Sequence, residues 1–384
     1  MKKFLTFVTL ISAVSVILPR TTGQTSANEV ASVFHVVATP NGHPTPFQND
    51  LHSVSASSPA DIWAVGQTAI HFDGSKWTAF SMPKIHGDNT SRLGGVVDLA
   101  PNNVWAVGLI NIGLGNGNQV IEHFDGTKWS ISPGPTFQPT DQPSLESITA
   151  FSASDIWAAG FILTNNGQSL FPLFEHFDGT SWTAFETLSQ NATMFGISAH
   201  ATNDAWAVGT VAFSQTAIEH FDGSSWSSVP SPNAGLGFNV LTGVTALAPN
   251  DVWAAGYFTR DVNSTRPAKT LIEHWDGSSW KIVPSPNVGP HSQYQSNQLY
   301  GITAVSANDV WAFGSFFASD GSGQQSTLVL RWDGTKWSIV PSPNPVTGNF
   351  RADILFGGMV IPQGNLWIVG NEFGRTLAVN ATGQ

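Results

Sequence analysis

Polar and aromatic side chains recur at equivalent places along this chain, on either side of a Leu or Met that stands twelve residues before a Trp. Amides, charges of both signs and aromatic rings are groups that hydrogen-bond and stack a sugar or a peptide. The candidate ligand-binding residues are Asn49, Asp50, His52, Arg92, Glu146, Asn239, Tyr294, Asn297, Gln298, Tyr300, Arg351 and Asp353. All of them lie within two residues of the recurring Leu except Tyr294 and Arg351, which lie a few residues before it. A polar funnel filled by water would use the same residue types, so both interpretations stay open.

A second polar series is too regular to form one site. Its members each stand two residues before an Asp-Gly pair, and they are His71, His123, His176, His220 and His274. One His per repeat, spread around a ring, cannot converge on a single metal ion. We predict buried, architectural His side chains that bond polar residues of the preceding hairpin, namely Asp61, Asp155, Asp204, Asp251 and Asp309. No metal or other cofactor is expected.

The elements that position these residues come from a repeat of 42 to 58 residues that occurs seven times. Its leading half contains strings such as DIWAVG and DVWAAG, and its trailing half contains strings such as HFDGSKW and HWDGSSW. Each half predicts a β-hairpin, because Asp-Gly flanked by alternating apolar residues is a strong turn signal. Four strands per repeat are typical of a propeller blade. We therefore predict an all-β, seven-bladed β-propeller with four antiparallel strands per blade.

The two ends of the chain predict how the ring closes. The seventh repeat ends at Gln384 without a counterpart of WKIVPSPN, whereas FHVVATPN at residues 34–41 matches that segment position for position. Phe34 takes the place of the Trp. The N-terminal strand should therefore complete the last blade, which would remove the free sheet edges of an open ring.

The N-terminus predicts secretion. Lys2 and Lys3 precede a run of about 15 apolar residues and a small-residue stretch that ends at Ala27, which is typical of a signal peptide. A transmembrane anchor is the alternative, although a span needs ~20 apolar residues. We assign residues 1–27 to the signal peptide and 28–384 to one propeller, secreted and monomeric, with no membrane span in the mature chain.

Composition limits the partners. Cleavage near Ala27 would lower the formal charge from −11 to −14, which disfavours nucleic acid. The chain has no Cys, so disulfides contribute nothing to its stability.

The connections indicate which face carries the site. Turns within hairpins hardly vary in length, whereas links from second to third strand (109–119, 257–270) and between blades (285–298) vary widely. In an up-and-down blade both variable classes emerge on the same face. Variable loops on a rigid scaffold often bind ligands, so the predicted site is this face, around the central channel.

The repeats resemble a known family. A strand closed by Gly (VWAAG), an aromatic-Asp pair (Trp275-Asp276) and Trp280 before a Pro are similar to kelch and galactose oxidase-like propellers, with one Gly where kelch repeats have two. The Gly-x-x-Trp of DGTKW resembles part of the Asp-box turn of sialidase-like propellers. Secreted bacterial propeller repeat proteins look similar.

These resemblances imply two enzymatic sites that can be compared with the residues. A galactose oxidase-like copper site needs a Cys-Tyr crosslink, which a chain without Cys cannot form. A sialidase-like site needs an Arg cluster and a Tyr-Glu pair, for which Tyr300, Glu146, Arg92 and Arg351 are candidates without a third suitable Arg. We predict a non-enzymatic binding module for a glycan or an extracellular protein. The alternative is an extracellular, glycan-active hydrolase or lyase with its site at the channel mouth.

Overall fold

The computed structural model describes residues 33–43, 49–83, 92–111, 117–185, 187, 189–261, 267–289, 295–318, 322–345, 352–361 and 365–382. These ranges contain β-strands and their connections. Within them, no helix has the length and apolarity that a membrane span requires. The predicted signal peptide and its cleavage site lie outside the described residues.

Seven four-stranded antiparallel sheets form the blades. Blades 1 to 6 each take four consecutive strands in chain order, so that blade 1 is β2 to β5 and blade 6 is β22 to β25. Blade 7 consists of β26, β27 and β28, with β1 as its fourth strand. The strands are β1 (Val33–Val37), β2 (Leu51–Ser58), β3 (Asp61–Gly66), β4 (Ala69–Phe72), β5 (Trp77–Phe80), β6 (Arg92–Ala100), β7 (Asn103–Asn111), β8 (Gly117–Phe124), β9 (Trp129–Ile131), β10 (Gln142–Ser152), β11 (Asp155–Thr164), β12 (Ser169–Phe177), β13 (Trp182–Phe185), β14 (Ala192–Ala201), β15 (Asp204–Val211), β16 (Gln215–Phe221), β17 (Trp226–Ser228), β18 (Asn239–Ala248), β19 (Asp251–Phe258), β20 (Lys269–Trp275), β21 (Trp280–Ile282), β22 (Asn297–Ser306), β23 (Asp309–Phe317), β24 (Gln325–Trp332), β25 (Trp337–Val340), β26 (Asp353–Val360), β27 (Leu366–Glu372) and β28 (Arg375–Thr382).

The first strands of neighbouring blades contact one another, and the contact between β2 and β26 closes the ring. This confirms the predicted fold. Because each blade runs up and down, links from second to third strand and links between blades share one face, called here the link face. The turns within hairpins occupy the other face, called here the turn face.

The core lies between blades and is built from aromatic side chains. The second-strand Trp63 of blade 1 packs against Phe124 and Trp129 of blade 2, with ring centroids 4.7 and 5.2 Å apart. The same contact returns from blade 7 to blade 1, where Trp367 meets Phe72 and Trp77 at 5.1 and 5.5 Å. The recurring Trp residues therefore join each blade to the next.

The predicted closure by the N-terminal strand is confirmed. β1 pairs with β28 in antiparallel register, with Phe34 opposite Ala381. Phe34 is 9% exposed and meets Trp311 edge-on at 5.8 Å, the place that a Trp fills in the other blades. Val37 packs on the core, but Val36 is 43% exposed. Strand alternation places Val36 on the same side of β1 as Phe34, so the sequence predicts that Val36 also helps to cover the blade. Its exposure shows that this prediction is wrong.

A clasp of hydrogen bonds ties the end of each of the last four blades to its third strand. In blade 5 the Thr270 amide donates to Asn287 Oδ1 at 3.1 Å, and the Thr270 hydroxyl lies 2.9 Å from Ser285 Oγ. In blade 7 the Thr376 amide donates to Asn41 Oδ1 at 3.1 Å. The match of Pro40-Asn41 to Pro286-Asn287 therefore reflects a structural equivalence of the two segments.

The predicted His-Asp pairs form. His274 Nε2 lies 2.8 Å from Asp251 Oδ1, and its ring lies 4.2 Å from that of Trp253. The same pairing joins His71 to Asp61, His176 to Asp155, and His220 to Asp204. Blade 6 replaces the His with Arg331, which donates to Asp309. The paired His side chains are 22 to 28% exposed, so they are half-buried and not, as predicted, buried.

Substitution at Asp251 should separate the hydrogen bond from the charge. Asp251→Ala removes the acceptor for both His274 and the Trp253 Nε1 donor at 3.0 Å. We therefore expect the free energy of unfolding to decrease by about 1–3 kcal/mol. Asp251→Asn should cost much less, because blade 2 already uses Asn103 Oδ1 to accept from Trp105 and to bond His123. Denaturant melts measure both. Equal losses in the two variants would contradict the acceptor role.

Candidate functional site

A β-bulge opens the first strand of every blade at the same position. In blade 1 Leu51 pairs with Gly66 and Ser53 with Val65, so His52 is an extra residue without a partner. A Cβ on Gly66 would lie 1.9 Å from the Asp50 carbonyl oxygen, which explains why this second-strand position holds Gly. The seven bulge residues are His52, Gly94, Glu146, Phe195, Thr242, Tyr300 and Phe356.

These seven residues, called here the bulge ring, line one axial cavity of about 150 Å³. The positions that follow them hold Ser or Gly. A Cβ on Gly243 would lie 3.0 Å from Gly301 Cα in the next blade, so small residues allow the first strands to converge on the axis. Ser53 Oγ accepts a hydrogen bond from the Val96 amide at 3.2 Å and joins two of these strands. The small residues form the wall, and the bulge ring projects from it.

One side of the bulge ring carries an ion pair. Arg92, which directly precedes the Leu of blade 2, donates through Nη2 to both carboxylate oxygens of Glu146 at 2.9 and 2.7 Å. Ser144 Oγ donates to the same carboxylate at 3.1 Å. The Glu146 side chain is 8% exposed, whereas that of Arg92 is 38% exposed. The guanidinium therefore remains accessible to hydrogen-bond acceptors.

The other side carries an aromatic ledge formed by His52, Phe356 and Tyr300. The Phe356 ring lies 4.9 Å from that of His52 and 5.3 Å from that of Tyr300. The Tyr300 hydroxyl donates to Gln298 Oε1 at 2.7 Å, and burial raises the pKa of Tyr300 to about 12. Burial and the nearby Arg92 lower the pKa of His52 to about 4. Both rings are therefore neutral at neutral pH.

Three of the predicted amides lie elsewhere. Asn49, Asn239 and Asn297 are 1, 0 and 2% exposed and hold the links that lead into their strands. The Asn49 and Asn297 Oδ1 atoms accept from the backbone amides of His43 and Val288, each at 2.8 Å. The structure places all three beneath the links and not in the axial cavity.

The remaining candidates have varied positions. Asp353 occupies the position equivalent to these amides and is 0% exposed. Asp50 accepts a hydrogen bond from Asn371 Nδ2, and burial raises its pKa. Tyr294 and Arg351 lie outside the described residues. The candidates that line the cavity are thus His52, Glu146 and Tyr300, while Arg92 and Gln298 are hydrogen-bonded to Glu146 and Tyr300.

The candidate list omits three members of the bulge ring that carry side chains, namely Phe195, Thr242 and Phe356, the last of which forms part of the aromatic ledge. Each directly follows the recurring Leu or Met, so alignment of the seven copies contained the signal. Thr242 Oγ1 already donates to the Leu299 carbonyl at 2.9 Å, which leaves Phe195 and Phe356 as the additional contact surface. Within the described residues, no group of three or more His, Cys, Asp or Glu side chains is arranged to hold a metal ion.

Comparisons with solved structures identify the fold. The chain is similar to YCF48 from Cyanidioschyzon merolae (TM-score 0.52, 15% identity, covering 91% of this chain and 98% of that one). It is also similar to a chain of the mitotic checkpoint complex (0.58, 11%, 98% and 100%). A third similarity is to the extracellular domain of a one-component system from B. thetaiotaomicron (0.56, 13%, 91% and 40%).

At these identities the likeness extends to the fold alone, and a propeller is consistent with a binding or interaction module. No family model and no curated protein matches the chain. The kelch-type resemblance stays a prediction.

Proposed function

We propose that this protein is a secreted, monomeric binding module that holds the terminal ring of a glycan, free or carried on an extracellular protein, in the axial cavity. The supporting observation is the bulge ring itself, in which the aromatic ledge and Glu146, which is paired with the accessible guanidinium of Arg92, border the same cavity. Aromatic faces stack apolar ring faces, and a guanidinium donates to ring hydroxyl oxygens.

The size of the cavity supports a single ring as ligand. A protein cavity of about 150 Å³ holds one six-membered ring, and the axial cavity has this volume. Longer ligands would continue outward toward Gln298 and Asp50, at the start of the first strands. The ligand would therefore enter end-on from the link face.

The chemistry of the bulge ring favours binding over glycoside cleavage. Hydrolysis usually needs two carboxyl groups, one of them a proton donor. The bulge ring supplies one carboxylate, Glu146, and both of its oxygens already accept hydrogen bonds from Arg92. The hydrolase or lyase alternative would have to recruit a second acid from outside the bulge ring.

Phe356→Ala should weaken glycan binding about tenfold or more, because it removes the central ring of the ledge. A glycan array first identifies the ligand, and titration calorimetry then compares the variants. Phe151→Ala is the control, since Phe151 is 52% exposed and ends β10 on the turn face. Equal affinity of Phe356→Ala and the unmodified protein would contradict the proposed site. Turnover of the bound glycan that Glu146→Gln abolishes would favour the hydrolase or lyase alternative.

A further inference from the structure

Three large apolar side chains protrude together from the link face between blades 4 and 5. Phe213, Leu236 and Phe238 are 53, 80 and 40% exposed. Phe213 lies in the short link between β15 and β16, which are the second and third strands of blade 4. Leu236 and Phe238 lie in the link between β17 and β18. The Asn239 amide donates to the Phe213 carbonyl oxygen at 3.2 Å, which brings the two segments together. These three residues are called here the apolar cluster.

The turn that carries Phe213 has an unfavourable backbone conformation. Ala212 and Phe213 have φ values of 48° and 58°, a pair that two-residue hairpins normally fill with Asn-Gly or Asp-Gly. Neither Ala nor Phe favours this region. The surrounding hydrogen bonds hold it, since the Ala212 amide donates to the Asn191 carbonyl at 2.8 Å. The fold thus tolerates strain while exposing a Phe at the tip of the turn.

The link that carries Leu236 and Phe238 is fixed from below by the buried Asn239. Its Nδ2 donates to the carbonyl oxygens of Gly235 and Gly237 at 2.9 and 3.1 Å. The Leu236 amide donates to the Arg260 carbonyl at 3.1 Å. These hydrogen bonds fix the backbone of the link with the Leu236 and Phe238 side chains directed outward.

Two cations border the apolar cluster. Arg260 is exposed and bonded through its backbone to Leu236. Lys269 begins β20 and pairs with Phe258, two residues before Arg260, so both cations lie at the same end of blade 5. Asp261 follows Arg260, so these three side chains together carry a net charge of +1. This local pairing of positive charges stands out in a chain of net charge −11.

Protruding apolar tips beside cations fit one kind of surface. A bilayer accepts protrusions without a matching shape, buries their apolar parts below the headgroups and attracts nearby cations when its lipids are anionic. The net charge of the rest of the chain acts weakly there, since screening limits it to about 8 Å in physiological salt. We propose that Phe213, Leu236 and Phe238, with Arg260 and Lys269, dock the link face reversibly on an anionic lipid surface.

Vesicle sedimentation tests this proposal. The chain is produced from Asn28 onward, which retains every strand of the propeller, and is mixed with vesicles of phosphatidylcholine and phosphatidylglycerol in equal parts. We expect the protein to sediment with the vesicles. Phe213→Ser, Leu236→Ser and Phe238→Ser combined should bind at least about tenfold more weakly. Arg260→Glu with Lys269→Glu should lose most of the binding that low salt promotes.

Matched controls separate docking from general effects. Phe151→Ser removes a Phe of 52% exposure from the turn face and should sediment like the unmodified protein. All of these side chains except Lys269 are exposed, so melting temperatures should change little. Three results would overturn the proposal: an unmodified protein that stays in solution, a triple variant that sediments equally, or an apolar cluster that instead forms dimers in sedimentation velocity without lipid.

Discussion

Deletion of residues 31–41 should leave a protein that melts at a much lower temperature or aggregates. The deletion removes β1, which is the fourth strand of blade 7 and pairs along its whole length with β28. It also exposes the edge of β28, and free edges promote aggregation. The ring would then lose the aromatic contact between Phe34 and Trp311.

The expected magnitude follows from the groups that the deletion uncovers. Burial of Phe34 and Val37 contributes ~1.5–3 kcal/mol each, and the loss of the clasp leaves Thr376 without Asn41. Typical proteins are stable by about 5–15 kcal/mol, so the loss is a large fraction of the total. A chain that begins at Asn28 is the control and should melt normally, because it retains β1. Identical melting curves for the two chains would show that the closure contributes little.

Stability should fall as the pH rises from about 4.5 to 8, because carboxyl groups are buried between blades. Glu273 on β20 is 0% exposed, and neither of its carboxylate oxygens has a hydrogen-bond partner among the described residues. Burial raises the pKa of Glu273 from 4.5 to about 8. Glu122 and Glu175, at the equivalent positions of blades 2 and 3, shift to the same value.

The sign follows from proton binding. Between pH 4.5 and 8 the folded protein keeps the Glu273 proton, whereas the unfolded chain has released it. The unfolded state therefore binds fewer protons, and the free energy of unfolding decreases as the pH rises. The contribution of Glu273 to the free energy of unfolding is fully present below pH 4.5 and is lost as the pH rises through about 8. His52 acts in the opposite sense, and its contribution is lost as the pH falls from 6.5 through about 4.

Glu273→Gln should therefore stabilise the protein at pH 8 and have little effect at pH 5. Each pKa unit corresponds to about 1.36 kcal/mol, so the gain at pH 8 is roughly 2–5 kcal/mol. Glu219→Gln is the matched control in blade 4. The Ser189 hydroxyl donates to Glu219 and favours its charged form, so its pH dependence should be smaller. Denaturant melts at both pH values measure the difference. A Glu273→Gln gain that is the same at pH 5 and pH 8 would contradict the assignment.

The sequence by itself determined the fold because its signals are local and repeated. Asp-Gly pairs fix the second hairpin of each blade. Asp73 Oδ1 accepts hydrogen bonds from the amides of Ser75 and Lys76, each at 2.9 Å, while Gly74 takes a φ of 89°. Comparison of copies then revealed the displaced strand, since FHVVATPN matches the end of the other repeats. Neither inference needed a distance between remote parts of the chain.

Only the tertiary structure decided which polar residues form the site. Strand alternation predicts that residues one before and one after the recurring Leu point the same way, but the bulge adds an unpaired residue and changes the local direction of the chain. His52, Glu146 and Tyr300 therefore meet Phe195 at the axis, although they lie in different blades.

The amide two positions before the Leu is turned instead into the link above it. Asn239 illustrates this, because its partners at residues 234, 235 and 237 have no recognisable pattern in the sequence. The apolar cluster likewise has no recognisable pattern in the sequence. Residues 213 and 236 come together only because the ring places two links side by side, and the spacing between neighbouring blades is a property of the closed ring rather than of any single repeat.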